Sequence, residues 1–160
     1  MEQADRPNTV PWPPILYGAA ALLAWLLGRV APLPWPDSAL LAPAGWMLIA
    51  LGLGLDVWAM AVMARRRANI LPHRAATALV TEGPFAWSRN PIYLGNATLL
   101  TGCALAFGNA WFLVAAAGAA AAVTVLAIRR EEAHLALRFG AAWHAYAART
   151  ARWFGRRAGG

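Results

Sequence analysis

Arg89 stands inside a run whose residue types could do chemistry: Gly83-Pro84-Phe85-Ala86-Trp87-Ser88-Arg89-Asn90-Pro91-Ile92-Tyr93-Leu94-Gly95. Turn formers and aromatics surround a single guanidinium, and the run sits where an arginine-rich loop meets an apolar segment. Such a junction can be a site at a membrane surface. It can equally be a well-capped helix start, because Pro91 suits the first helical position and Ser88 or Asn90 can supply the cap.

Two further sets of polar residues matter. Glu131 and Glu132 directly follow Arg129 and Arg130. One carboxylate can accept hydrogen bonds from sugar hydroxyls or an amine while the other pairs with an arginine; both can also simply balance neighbouring arginines. Asp56 lies within an apolar segment nine residues before Arg65, about 13 Å along a helix. An acid at that depth must face the bundle, find a donor or stay protonated. It either orients a substrate head group or locks helix packing. His73, His134 and His144 are too scattered for a metal set, and Cys103 reads as a small buried apolar residue.

The elements that must position these groups are helices in lipid. Of 160 residues, 60% are hydrophobic and only 13% charged, with a net charge of +7 carried by arginine without lysine. A soluble domain of this size cannot bury so much apolar surface. Four apolar segments stand out, at about 14–31, 42–63, 91–107 and 111–128, and the last two are short for a bilayer crossing. The start of the chain does not read as a signal peptide, since Glu2, Asp5 and Arg6 are mixed and Pro11, Pro13 and Pro14 precede the apolar run. Beyond the fourth segment, Leu135, Phe139, Trp143, Tyr146 and Trp153 recur at helix-compatible spacing, predicting an amphipathic helix that Gly140 bends or interrupts.

The expected fold is therefore all-α, a single polytopic membrane helical bundle. It has about four transmembrane helices, with N-terminal helices at 14–63, plus a C-terminal amphipathic cytoplasmic helix. Arginines crowd the 64–90 loop and the region after Ile128, whereas the outer connections hold only Arg29. The positive-inside rule then puts both termini and that loop in the cytoplasm, as in a bacterial inner-membrane protein. No nucleic-acid recognition module surrounds the basic clusters, and nothing fixes an oligomeric state.

Leu79-Val80-Thr81-Glu82-Gly83-Pro84-Phe85, with Ser88-Arg89-Asn90-Pro91-Ile92-Tyr93-Leu94-Gly95, resembles the start of the catalytic half of the isoprenylcysteine carboxyl methyltransferase and phospholipid methyltransferase superfamily. Glu131-Glu132, Leu135, Phe139-Gly140, Tyr146 and Arg152-Trp153 resemble its closing pattern, so the likeness covers about residues 69–153. The resemblance implies a membrane methyltransferase using S-adenosylmethionine. It implies cofactor contacts from Arg89, Asn90, Tyr93, Gly95, Glu131, Glu132, Tyr146 and Arg152, with Arg89 and Glu132 also catalytic. Asn90 stands where the prenylcysteine branch carries histidine, so the resemblance is to bacterial relatives. The expected acceptor is a membrane lipid or hydrophobic small molecule, methylated on a carboxylate, thiol or amine. The alternative is a non-enzymatic membrane scaffold or complex subunit.

Overall fold

The computed structural model describes residues 12–68 and 77–156, and every regular element among them is helical. Pro72, His73 and Arg74 of the arginine-rich loop, Arg157 and both chain ends lie outside the described residues. Helix α1 spans Trp12–Val30, α2 Leu41–Arg65 and α3 Pro91–Phe107. Helix α4, Trp111–Val123, runs through a π-helical turn at Thr124–Ile128 into α5, Arg129–Phe139; α6 follows at Ala141–Arg149.

Three helical stretches are long and apolar enough to cross a membrane: Pro13–Val30, Leu41–Arg65 and the continuous Trp111–Phe139. The last is the fourth apolar segment continued as helix beyond Ile128, as the sequence leads one to expect. Apolar counting stops at Ile128, but the helix itself carries its charged residues onward in one 29-residue rod. Helix α3 is the shorter apolar element, 17 residues long, or about 26 Å. It begins at Pro91, whose missing N–H costs nothing there. It ends at Gly108, whose φ of 61° is left-handed and suits a residue without Cβ.

Residue contacts set the arrangement. Helix α2 packs antiparallel on α3, α3 on α4, and α4 on α1. The principal core joins α1, α3 and α4 through Tyr17, Ala24, Tyr93, Leu100, Ala104, Phe112, Ala116, Val123 and Ile128, with the half-buried Cys103 packed at its margin. Trp46 and Trp58 on α2 are more than half exposed, as anchors facing lipid would be. The N-terminal ends of α1 and α3 therefore share one end of the bundle with the C-terminal end of α2. That end carries the arginines.

The α2–α3 contact explains four glycines at once. Gly45 and Gly52 of α2 meet Gly102 and Gly95 of α3, seven residues apart on each helix. A Cβ on Gly52 would stand 2.7 Å from the Gly95 carbonyl, and one on Gly102 would stand 2.8 Å from the Gly45 carbonyl. Small residues let two helix backbones approach this closely where lipid offers no hydrophobic drive to association. Gly54, on the same helix, has nothing within 4 Å of its would-be Cβ. We expect Gly52→Leu to destabilise the protein in micelles by about 1–3 kcal/mol, and Gly54→Leu to be close to neutral. Equal effects in an unfolding titration would refute the glycine contact.

The amphipathic C-terminal helix is two helices. Gly140, at φ 49° and ψ −122°, breaks the path between α5 and α6. Helix α5 buries no residue, and Leu137 is almost fully exposed, whereas α6 buries Trp143 and Tyr146. The apolar side expected along the whole stretch is thus closed against protein only after the break.

Candidate functional site

The Gly83–Gly95 stretch folds as a corner. A 3-10 turn, Gly83–Ala86, leads into an extended approach to Pro91. The corner is clamped from behind by the end of the chain. The Arg89 N–H donates to the Ala151 carbonyl at 3.0 Å, the Gly155 N–H to Trp87 at 2.8 Å, and Thr150 and Arg156 form an antiparallel bridge. Tyr146 on α6 donates its hydroxyl to the Phe85 carbonyl at 2.7 Å. Burial raises that phenol's pKa, against an opposing effect of the nearby Arg89 charge, so it remains a donor. At the other edge Arg66 pairs with Glu82, an exposed contact that holds the Glu82 carboxyl below its usual range and adds little stability.

Asn90 does not cap α3 as the sequence suggests. It occupies the cap position, but no side chain bonds to the helix start. Its Nδ2 instead donates to the Arg152 carbonyl at 3.0 Å, and its own N–H donates to Ser88 Oγ at 3.0 Å. The residue joins the corner to the closing segment. Proline at the next position makes the missing cap inexpensive, because one orphan donor is already gone.

The two glutamates meet different partners. Consecutive helical residues point about 100° apart, so each meets a different neighbour. Glu132 accepts two bonds from Arg152, Nε to Oε1 at 2.9 Å and Nη2 to Oε2 at 2.6 Å. It also lies 3.3 Å from Arg89 Nη1. Hydrogen bonding to Glu132 raises the pKa of the Arg152 guanidinium. Glu131 accepts a hydrogen bond from the Tyr93 hydroxyl, which lies 3.1 and 3.2 Å from its two oxygens. The π-helical turn just before these residues shifts their phase relative to α4, and such turns recur at functional sites.

Arg89 is the buried centre. Its side chain is only 8% exposed, against 36% for Arg152. Besides Glu132 it meets the face of Trp143, 5.6 Å from guanidinium carbon to ring centroid. Trp143 in turn stands edge-on to Tyr146, with centroids 5.8 Å apart. The structure thus brings together Arg89, Asn90, Tyr93, Glu131, Glu132, Tyr146 and Arg152 at the arginine-rich end. Gly95 is placed elsewhere: it faces α2, and a Cβ on it would collide with the Asp56 carboxylate.

The family model described as phospholipid methyltransferase matches residues 41–142, well over half of the sequence. The chain belongs to the phospholipid methyltransferase family. No curated protein matches it. By family it is a methyltransferase, and its long apolar helices make it an integral membrane protein. The match opens with the first residue of α2 and so takes in Asp56, the corner and both glutamates. It closes inside α6, ahead of Tyr146 and Arg152, which are tied to the same site by the bonds above.

Three contributors in this phospholipid methyltransferase family member escaped the sequence reading as site residues. Trp143 backs Arg89, Ser88 bridges Asn90, and Tyr17 of α1 donates to the Tyr93 carbonyl at 3.0 Å. The three-residue spacing of Trp143 and Tyr146, which stacks them on one helix face, was the available signal for the first. Nothing local marks Tyr17, whose partner is 76 residues away.

Proposed function

We propose that the protein transfers a methyl group from S-adenosylmethionine to a hydrophobic or membrane-associated acceptor at the arginine-rich end of its bundle. The observation that supports this reading is the convergence of Arg89 and Arg152 on Glu132 beside the Tyr93–Glu131 pair, in a chain of a methyltransferase family.

The donor set suits that cofactor. Two guanidinium groups and two carboxylates answer an amino-acid moiety, whose carboxylate wants a fork of donors and whose ammonium and ribose hydroxyls want acceptors. When bound, S-adenosylmethionine supplies an electrophilic methyl on its sulfonium. Arg89 holds the cofactor carboxylate or orients the acceptor, and Glu131 takes ribose or amino hydrogens. Glu132, already engaged by Arg152, keeps Arg89 aimed. Asn90 and Tyr146 keep the corner closed through backbone bonds. Tyr93 fixes Glu131 by its hydroxyl. Positioning of this kind supplies several kcal/mol without any covalent intermediate.

A carboxylate or thiolate acceptor arrives nucleophilic, whereas an ammonium must first lose a proton. Arginine bias supports a cytoplasmic site in a bacterial inner membrane, with the acceptor arriving sideways from the lipid.

The purified protein in lipid nanodiscs should bind S-adenosylmethionine and pass labelled methyl to a component of a membrane extract. A helical, correctly folded sample that does neither would favour the membrane-scaffold alternative.

A further inference from the structure

The end of the bundle away from the arginine-rich corner holds a cavity of about 360 Å³. It lies where the last turns of α1 and the connection after them meet the tight α3–α4 turn, between Trp25, Arg29, Leu33, Phe107 and Phe112. Its frame is fixed by hydrogen bonds. Asn109 donates from Nδ2 to the Ala24 carbonyl at 3.0 Å and accepts the Trp111 backbone N–H on Oδ1 at 3.1 Å. The Trp111 indole N–H donates to the Ala31 carbonyl at 2.7 Å. Gly28 makes room for the Asn109 amide, with which a Cβ would collide. These bonds tie the end of α1 to the α3–α4 hairpin, so the cavity is part of the fold and not a gap between loose elements.

Among the described residues Arg29 is the only charged side chain that lines this cavity, and no carboxylate there pairs with it. Its guanidinium carbon lies 5.0 Å from the centre of the Trp25 ring, one turn earlier on α1. An arginine that only snorkels reaches past its helix end into water. This one is laid along an indole at the cavity wall. The indole face and the negative end of α1 hold the cation in place. Neither is a counter-ion. Depth follows from α1 itself: Pro13–Val30 is long and apolar enough to cross a membrane, so Trp25 and Arg29 stand in its last turns, at the level of lipid head groups.

We propose that this cavity binds the head group of an anionic phospholipid from the leaflet at that end of the bundle. The phosphodiester oxygens accept from the Arg29 guanidinium, and the glycerol and first chain carbons lie against Leu33, Phe107 and Phe112. The volume is at the small end of ligand sites, which run from about 300 to 1,000 Å³. It suits a head group whose chains stay in the bilayer. Asn109 and Trp111 spend their polar side-chain atoms on backbone, so recognition comes from one cation among apolar walls. A zwitterionic lipid brings an ammonium that Arg29 repels, and a diglyceride brings no charge at all. The length of α3, about 26 Å, separates this site from the corner that carries Arg89. The lipid here is a bound partner and not a methyl acceptor, so the proposal stands apart from the methyl-transfer reading.

The test places the full chain in phosphatidylcholine nanodiscs with a trace of phosphatidylglycerol that carries a diazirine near the glycerol end of one chain. Photo-crosslinking then reads occupancy peptide by peptide, without turnover. The probe should label the peptides that contain residues 25–33 and 107–112. Arg29→Ala should lower that labelling about tenfold, the loss expected for one charge-assisted contact, and Arg29→Lys should restore part of it. Labelling of peptides at the arginine-rich end should stay unchanged in both variants. Leu33→Trp, which keeps the charge and fills the apolar part, should also lower labelling at the cavity. The same diazirine on phosphatidylcholine should label these two peptides weakly. Equal labelling by the two lipids would overturn the proposal, as would labelling indifferent to Arg29→Ala in a sample of unchanged helicity. Labelling untouched by Leu33→Trp would reduce the site to a surface arginine. Displacement of the probe by millimolar inorganic phosphate would make it a site for a free anion, and either result would sink the lipid assignment.

Discussion

Arg89→Ala should reduce methyl transfer by about a hundredfold or more, the scale set by removing one preorganised donor from a water-poor site. The effect is expected to be large because the guanidinium is almost fully enclosed and has a carboxylate on one side and an indole face on the other. A group so confined is ready to meet an anionic ligand without reorganising. Arg89→Lys should recover only part of the activity, since an ammonium keeps the charge but loses the planar fork. The backbone should stay in place, because the bond from the Arg89 N–H to Ala151 does not involve the side chain. Loss of activity should therefore come with retained helicity and a weakened equilibrium binding of S-adenosylmethionine. Unchanged affinity and unchanged turnover in the alanine variant would remove Arg89 from the mechanism.

The placement of this residue is legible in the sequence. Arginine bias marked one end of the bundle, Pro91 marked the start of α3, and the helical hairpin between residues 91 and 128 returned Glu131 and Glu132 to that same end. Each of these rests on local chemistry or on chain length. Which glutamate faces which partner was not legible, because the answer depends on helical phase and the π-helical turn at Thr124–Ile128 resets it. The glycine contact between α2 and α3 was also hidden. Helices that are apolar all round show no stripe to identify the packed face, so Gly52 and Gly54 look alike in sequence although only one is pressed against a neighbouring backbone. Asn90 misled for a different reason. Its position favours capping, but a carbonyl from the closing segment, 62 residues away in sequence, claims its side chain. Trp143 was read as part of an apolar stripe, which its burial bears out, but its role beneath a guanidinium requires the turn at Gly140.

Glu132→Ala should be the most damaging single change at the site, in stability as well as in turnover. The carboxylate is shared by two guanidinium groups, so its removal takes from Arg89 and Arg152 the acceptor on which they converge. Breaking a buried pair by deleting one partner costs about 3–5 kcal/mol. The lower end applies here, because Arg152 at 36% exposure can turn to water while Arg89 at 8% cannot. The damage should spread along a definite path. Arg152 anchors the segment whose carbonyls hold Asn90 and Arg89, so hydrogen exchange should rise at residues 150–156 and then at 87–90. Helices α2 and α3 should keep their protection, since their contact is made between glycine backbones and uses neither arginine nor Glu132. Glu132→Gln, which keeps the shape and one acceptor, should exchange more slowly than alanine yet still lose about a hundredfold in turnover. Adding Arg89→Ala to Glu132→Ala should restore part of the lost stability, because it removes the converging guanidinium with the poorer access to water. A double variant as unstable as the sum of its parts would mean that Arg89 and Glu132 do not act as a pair.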